Sequence, residues 1–448
     1  MIGAGVGLGG RAMRLVLAIS LMIALLVGAS PNVAAQRAST DSRVSQGDPL
    51  SSDPNDPGNI LREVDQAEAE REALFPKSPL GGLRNRTDRA KQTIYEATGF
   101  NMGLVIQQLG QGITEVLPGN DDIGTAADLD FVVQRALINR GQPNVGGVYY
   151  QLQGRWDYGT TGPQDLGFVS LASAGGTANS WSRYQPTFLT RNFYWQQGSN
   201  EAGWAYRIGK ITPAATLLTS QYISPVTTFL PNVGTGVFAA GYPDSGLGFV
   251  GGVFPSDRVL VVGLISDANA NRLNFGDIGA GDTYKAVQLG VKILPVTPKA
   301  GYSKFLLWQN DGTKNGQPIN AMTGQEGWGF AMKLEQELTR DGRAVGIFRY
   351  GRSYHDSAIY KQQAGLSIVL NDPDDPINIK NDMLGVAFNW VESVVAGSRD
   401  EYNFEAFYRF ALFPAVDTTL SYQSVFDPAF TTEIDQASVF SLRLRTTY

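Results

Sequence analysis

The chain closes on FSLRLRTTY, residues 440–448, and the reading of this stretch decides the fold. Taken two residues at a time, Phe440, Leu442, Leu444, Thr446 and Tyr448 fall on one side. Ser441, Arg443, Arg445 and Thr447 fall on the other. A helix would space its apolar residues by three and four, and a disordered tail needs no alternation. The stretch is therefore a strand with an apolar face, arginines directly behind it, and an aromatic ring on its last residue.

The same period runs upstream to about Gly99. In GVYYQLQGRWDYG, Val148, Tyr150, Leu152, Trp156 and Tyr158 oppose Tyr149, Gln151, Gln153, Arg155 and Asp157. Trp204, Tyr206 and Ile208 oppose Arg207. Trp328, Phe330, Met332 and Leu334 oppose Lys333 and Glu335, and Asp341-Gly342 beyond them is a turn signal. Leu384, Val386, Phe388 and Trp390 share one face. Tyr402, Phe404, Tyr408, Phe410 and Leu412 oppose Glu401, Asn403, Glu405 and Arg409. About sixteen such segments fit between Gly99 and Tyr448, or about 22 residues per strand and connection.

A soluble sandwich also alternates, but so many strands in one soluble sheet would be rare. A closed barrel in lipid shows the pattern inside out, with apolar groups outward, polar groups inward and aromatics at the two interfaces. Closure leaves no edge, so every backbone group is paired in the bilayer. The large aromatics near segment ends, namely Trp156, Tyr158, Trp204, Trp308, Trp328, Trp390 and Tyr448, read as those interfacial groups. The expected fold is all-β: a transmembrane, antiparallel, up-and-down β-barrel of about sixteen strands over residues 99–448, preceded by a short helical segment.

Composition agrees. Charged residues are 17%, below the roughly 25% of soluble domains, while glycine reaches 52 residues and aromatics 10%. Cysteine is absent, which excludes disulfides, thiolate zinc sites and a cysteine nucleophile. The single histidine, His355, lies in GRSYHDSAIY, a turn between two strands by its pattern. No cofactor, metal site or catalytic residue is implied.

The N-terminus has the form of an export signal. Arg11 and Arg14 precede an apolar core at residues 15–27, and Val33 and Ala35 stand where a signal peptidase reads, placing cleavage after Ala35. Thirteen apolar residues are short for a membrane-spanning helix, which needs about 20. Removing residues 1–35 moves the net charge from −6 to −8, against a nucleic-acid partner. Residues 36–98 form a polar linker with amphipathic helix signals. Ile60, Val64, Ala67 and Leu74 recur at helical spacing after Asn59, a candidate N-cap, and a second helical stretch covers 86–98. This segment could tether or oligomerise the protein, or lie as a lid or plug at a barrel mouth. The longest irregular stretch, 212–246, holds prolines at 213, 225, 231 and 243. A connection of that length usually has a task; it either folds inward and narrows the pore or lies on the surface.

The C-terminal residues also resemble a known family. Glu405 to Tyr408, then Gln423, Asp427 and Pro428, then Leu442, Arg443 and the terminal Tyr448 are similar to the end of the carbohydrate-selective porins of the OprB type. Residues 206–215, YRIGKITPAA, resemble that family's strand before a long loop. The resemblance implies a sixteen-stranded barrel in the outer membrane of a Gram-negative-type bacterium, passing sugars by diffusion. It also implies contact with membrane lipid, and with the outer-membrane assembly machinery through a signal comprising Phe440, Leu442 and Tyr448. The oligomeric state stays open, a homo-oligomer included.

By alternation, the candidate pore-lining residues are Arg155, Arg207, Lys333, Glu335, Glu405, Arg409, Arg443 and Arg445. Neighbouring arginines and carboxylates cancel in charge yet keep hydrogen-bonding capacity for hydroxyl-rich solutes. Equally, such charges can pair only to hold the wall or a loop. Three rival readings remain: a general ion-conducting porin with weak cation preference, a barrel lipase built around His355, and a structural tether using the N-terminal helix.

Overall fold

The computed structural model describes residues 73–79, 81–163, 166, 187–220, 222–270, 273–293, 301–311, 326–372 and 382–448. Sixteen strands form one closed antiparallel barrel. In chain order they are β1 Asn101–Ile113, β2 Ile123–Ile138, β3 Gly146–Asp157, β4 Thr187–Ser199, β5 Trp204–Ile211, β6 Gly246–Ser256, β7 Val259–Asp267 and β8 Thr283–Val291. There follow β9 Ser303–Asn310, β10 Gly327–Glu337, β11 Ala344–Tyr354, β12 Tyr360–Asn371, β13 Met383–Ser393, β14 Glu401–Phe413, β15 Val416–Phe426 and β16 Gln436–Thr447. Every strand pairs with its sequence neighbours. β1 closes the ring on β16, in a register running from Val105↔Thr447 to Ile113↔Val439.

The alternation read from the sequence sets which side chain faces where. On β9, Phe305 and Leu307 are exposed on the outer wall, whereas Lys304, Leu306 and Trp308 are buried inside. On β8, Val287 and Leu289 face out, and Tyr284 and Gln288 face in. Outward aromatics cluster toward strand ends, with Trp328 stacked on Tyr354 at 4.3 Å and Trp204 on Tyr206 at 6.0 Å. Trp308 corrects the expectation for that residue. It points inward, stacked on Tyr284 at 6.1 Å, because the unbroken apolar run Phe305–Trp308 carries no alternation from which its side could be read.

The closing strand needs a second correction. Phe440 is exposed on the outer wall as expected. Leu442 and Leu444 share its side by register but are only 7% and 3% exposed, and Tyr448 is 9% exposed. Alternation gives the side of a wall and not what lies over it, so the bare apolar stripe stops at Phe440. The terminal residue is tied in by its backbone, with Tyr448 donating to Leu104 and accepting from it.

The longest connections gather at one mouth. On one side they run from two residues, at Asp257-Arg258 and Pro414-Ala415, to eleven. On the other side they reach 29 residues between β3 and β4 and 34 between β5 and β6. Outer-membrane barrels place short turns in the periplasm and long loops outside. His355 sits in the five-residue connection between β11 and β12, as read from the sequence.

A helix, α1 (Gly81–Thr98), leads into β1 at the short-turn mouth, five residues longer at its start than the sequence suggested. Gly99, at φ +73°, ends it by donating to the Tyr95 carbonyl, the left-handed stop that glycine adopts freely. The expected helix after Asn59 lies outside the described residues up to 72. Its described end is not helical: the Leu74 and Phe75 amides donate to the Ala411 and Leu412 carbonyls of β14.

Candidate functional site

The 34-residue connection after β5 folds into the barrel. Its residues make the hydrophobic core, which lies inside the ring of strands. Leu217, Leu218, Val237, Ala240 and Tyr242 pack with Tyr284, Leu306, Trp308 and Ala331 of the wall. Tyr222, Ile223 and Phe229 pack with Val345, Ile347, Val369 and Phe407, the rings of Phe229 and Phe407 meeting edge to face at 4.8 Å. Leu230 crosses to Leu109 and Ala126 of β1 and β2. Prolines and short side chains suit this segment, because an irregular backbone inside a barrel needs partners other than its own ladder.

Those partners are strand side chains. Lys304 donates to the Thr219 carbonyl at 3.0 Å, and Lys333 donates to the same carbonyl. Glu335 accepts from Ser220 at 2.6 Å and from Lys333 at 2.8 Å. Arg443 reaches the Pro225 and Thr228 carbonyls at 3.0 and 2.8 Å. Both oxygens of Glu405 accept from the Leu230 amide at 3.1 Å. Arg349 donates to the Gly234 carbonyl, Gln363 bridges Gly236 and Ala239, and Tyr284 donates to the Ala240 carbonyl at 2.9 Å. The connection thus runs from β8 across to β16 and back, and each reversal is pinned. Gly241 makes the return possible. Its φ is +57°, and a side chain there would meet the Trp308 ring at 2.8 Å.

The wall of β2–β4 is built differently. Its polar groups bond chiefly along the wall: Gln151 to Asp130 at 2.8 Å, Asn192 to Gln151 at 2.6 Å, and Arg155 to Gln153, with Asp128 3.6 Å from the Arg155 guanidinium. The inward connection hydrogen-bonds to this wall at its two ends, Thr212 to Asn192 at 3.1 Å and Arg191 to Asp244 at 3.1 Å. It packs on the wall between them, Leu230 against Ala126 and Leu217 and Tyr242 in one cluster with Val132, Tyr149 and Tyr194. Tyr149 and Tyr194 stack at 4.8 Å beside the ladder, and Arg207 lies 5.2 Å from the Tyr194 ring centre.

The eight charged residues singled out by alternation therefore divide. Lys333, Glu335, Glu405 and Arg443 bond to the inward connection. Arg155 and Arg207 lie on the β3–β5 wall, where Arg207 donates to Gln196 at 2.8 Å. Arg409 and Arg445 flank Asp417 at 2.8 and 4.0 Å near the short-turn mouth. Residues that period-two reading passed over include Lys304, Arg349, Gln363 and the Asp130–Gln151–Asn192 ladder. Arg349 was readable, since Phe348 and Tyr350 flank it as outward neighbours. Asn192 was not, because β3 and β4 change register between Gln151 and Leu152.

A family model described as "Carbohydrate-selective porin, OprB family" matches residues 173–448. No curated protein matches the chain. Among solved structures, the chain is similar to the high-pH structure of Pseudomonas putida OprB, at 13% identity and TM-score 0.63, covering 85% of this chain and 99% of that one. The low-pH structure of the same protein matches at 10% identity and TM-score 0.49, over 85% and 100%. A Rhodopseudomonas blastica porin triple mutant matches at 11% and 0.45, over 78% and 100%. At these identities the structural likeness concerns the fold.

Proposed function

Since this chain belongs to the carbohydrate-selective porin family of OprB type, and so lies in a Gram-negative outer membrane, we propose that sugars diffuse passively through its lumen, past the inward connection. One observation carries this reading. The 34-residue connection is pinned to β8–β12, β14 and β16 by buried side chains, whereas the β2–β4 wall keeps a row of amides, carboxylates and one guanidinium bonded along itself. These groups are buried, at 1–9% exposure, so they can serve sugar hydroxyls only where a solute takes the place of what now covers them. Neighbouring opposite charges keep the row from holding one ion, and weak binding at several points lets a solute leave.

In this reading Arg207, and Arg409 at the periplasmic exit, are the charged groups that meet solute, while Arg155 and Arg445, 2% and 3% exposed, hold the wall behind them. Lys333, Glu335, Glu405 and Arg443 set the width of the path by holding the connection. The mature chain begins after a signal removed at Ala35, and Phe440, Leu442 and Tyr448 present the assembly signal. Liposome swelling with a panel of sugars and amino acids tests the proposal. Sugars should enter faster than amino acids of similar size, and millimolar sugar should reduce the ion current. Ion current insensitive to sugar would favour the general ion-conducting porin instead.

A further inference from the structure

The net charge of −6 hides a strong separation along the barrel axis. Among the described residues, the eight connections at the long-loop mouth carry thirteen acidic residues and one basic, net −12. The described residues of the seven turns at the opposite mouth include five of each, net zero. The sixteen strands carry fourteen basic and ten acidic residues, net +4. Glu115, Glu326, Asp356 and Glu433, on four different loops, are exposed. Two neighbouring loops, β1–β2 and β15–β16, hold six of the acids: Glu115, Asp121, Asp122, Asp427, Glu433 and Asp435. These two loops are joined where Thr114 donates to the Ser438 carbonyl at 3.0 Å.

We infer that the long-loop mouth is an electrostatic filter that admits neutral and amino sugars and turns back anionic ones such as uronates, while drawing in cations. This rests on the sugar-porin reading. The physical reason is that charges of one sign around a low-dielectric opening focus their field into it and change the local concentration of charged solutes by about tenfold or more. A neutral sugar feels no such term. The mildly basic strand wall beyond the mouth makes the sequence of fields unequal in the two directions, so ion current should rectify.

The filter is long-range, and salt separates it from a steric sieve. The Debye length falls from about 30 Å at ~0.01 M salt to about 3 Å at 1 M. The test uses the mature full chain in liposomes and planar bilayers, with glucose, glucosamine and glucuronate as probes. At low salt, glucuronate should enter about tenfold more slowly than glucose and glucosamine at least as fast, with the ratios approaching one at high salt. A potassium chloride gradient should give a cation-selective reversal potential. The isosteric variant Glu115→Gln/Glu326→Gln/Asp356→Asn/Glu433→Gln, which substitutes no strand residue, should shift that potential toward zero, speed glucuronate and leave glucose unchanged.

Anion selectivity, or a glucuronate rate equal to that of glucose and independent of salt, overturns the filter while leaving the sugar-porin reading intact. Failure of glucose itself to enter overturns the porin reading instead. Should the fourfold variant fold poorly, Glu115→Gln/Glu433→Gln alone must still move the reversal potential in the same direction.

Discussion

Replacing Arg443 with alanine should release the tip of the inward connection without opening the barrel. Arg443 is 1% exposed in mid-β16 and supplies donors to Pro225 and Thr228 at 3.0 and 2.8 Å, with a longer contact to Thr419 at 3.3 Å. Alanine leaves the buried Thr228 carbonyl and the half-buried Pro225 carbonyl without this donor. Each unsatisfied group costs about 1–3 kcal/mol, so the local loss is about 2–6 kcal/mol, less whatever entering water restores. Every 1.4 kcal/mol is a factor of ten, so even the lower figure raises the released fraction about 30-fold. The ladders of β15, β16 and β1 are main-chain bonds and should persist. Released, the tip should give a higher and noisier single-channel conductance. It should also become cleavable by chymotrypsin at Tyr222 or Phe229, while the barrel keeps its folded mobility on unheated gels. Arg443→Lys, which keeps one donor, should fall between. Wild-type conductance and protease resistance in Arg443→Ala would refute the anchoring role.

Three further outcomes follow from the same geometry. Glu405→Leu should free the connection at Leu230 and cost about 1–3 kcal/mol more than Glu405→Gln, which keeps a carbonyl acceptor; chymotrypsin cleavage rates compare them. Gly241→Val forces a branched residue to φ +57°, about 1–2 kcal/mol by itself, and drives it into Trp308. It should shift the indole fluorescence relative to a Trp308→Phe control, and an unchanged spectrum would contradict the packing. Leu307→Arg, on the exposed outer face of β9, should cost about 2–4 kcal/mol near the bilayer midplane in urea unfolding from vesicles. Leu442→Arg should cost more, because Leu442 is buried and its arginine would lack water as well as lipid headgroups. Equal costs would place Leu442 against bare lipid.

The strand count, the barrel and the sides of most residues were legible because period two is local. Lys333 and Glu335 lie two apart with Leu334 between them, and no distant contact is needed to see that they share a face. The same locality explains the failures. Trp308 ends an apolar run in which both faces carry large hydrophobics, so its side is set by its β8 and β10 neighbours. Leu442 has the parity of a lipid-facing residue, but its burial depends on what lies over the wall.

The sequence alone determined a closed membrane barrel with polar groups inside, since alternation, turn residues and low charge are properties of neighbouring residues and admit one packing in lipid. That residues 212–245 turn inward depends on long-range contacts no local pattern reveals. The tertiary structure alone showed that Lys304, Lys333, Arg349, Glu405 and Arg443, up to 218 positions from their partners, hold that connection, and that acids from separate loops gather at one mouth. Such contacts exist only once the ring is closed, because closure brings strands remote in sequence around a single interior.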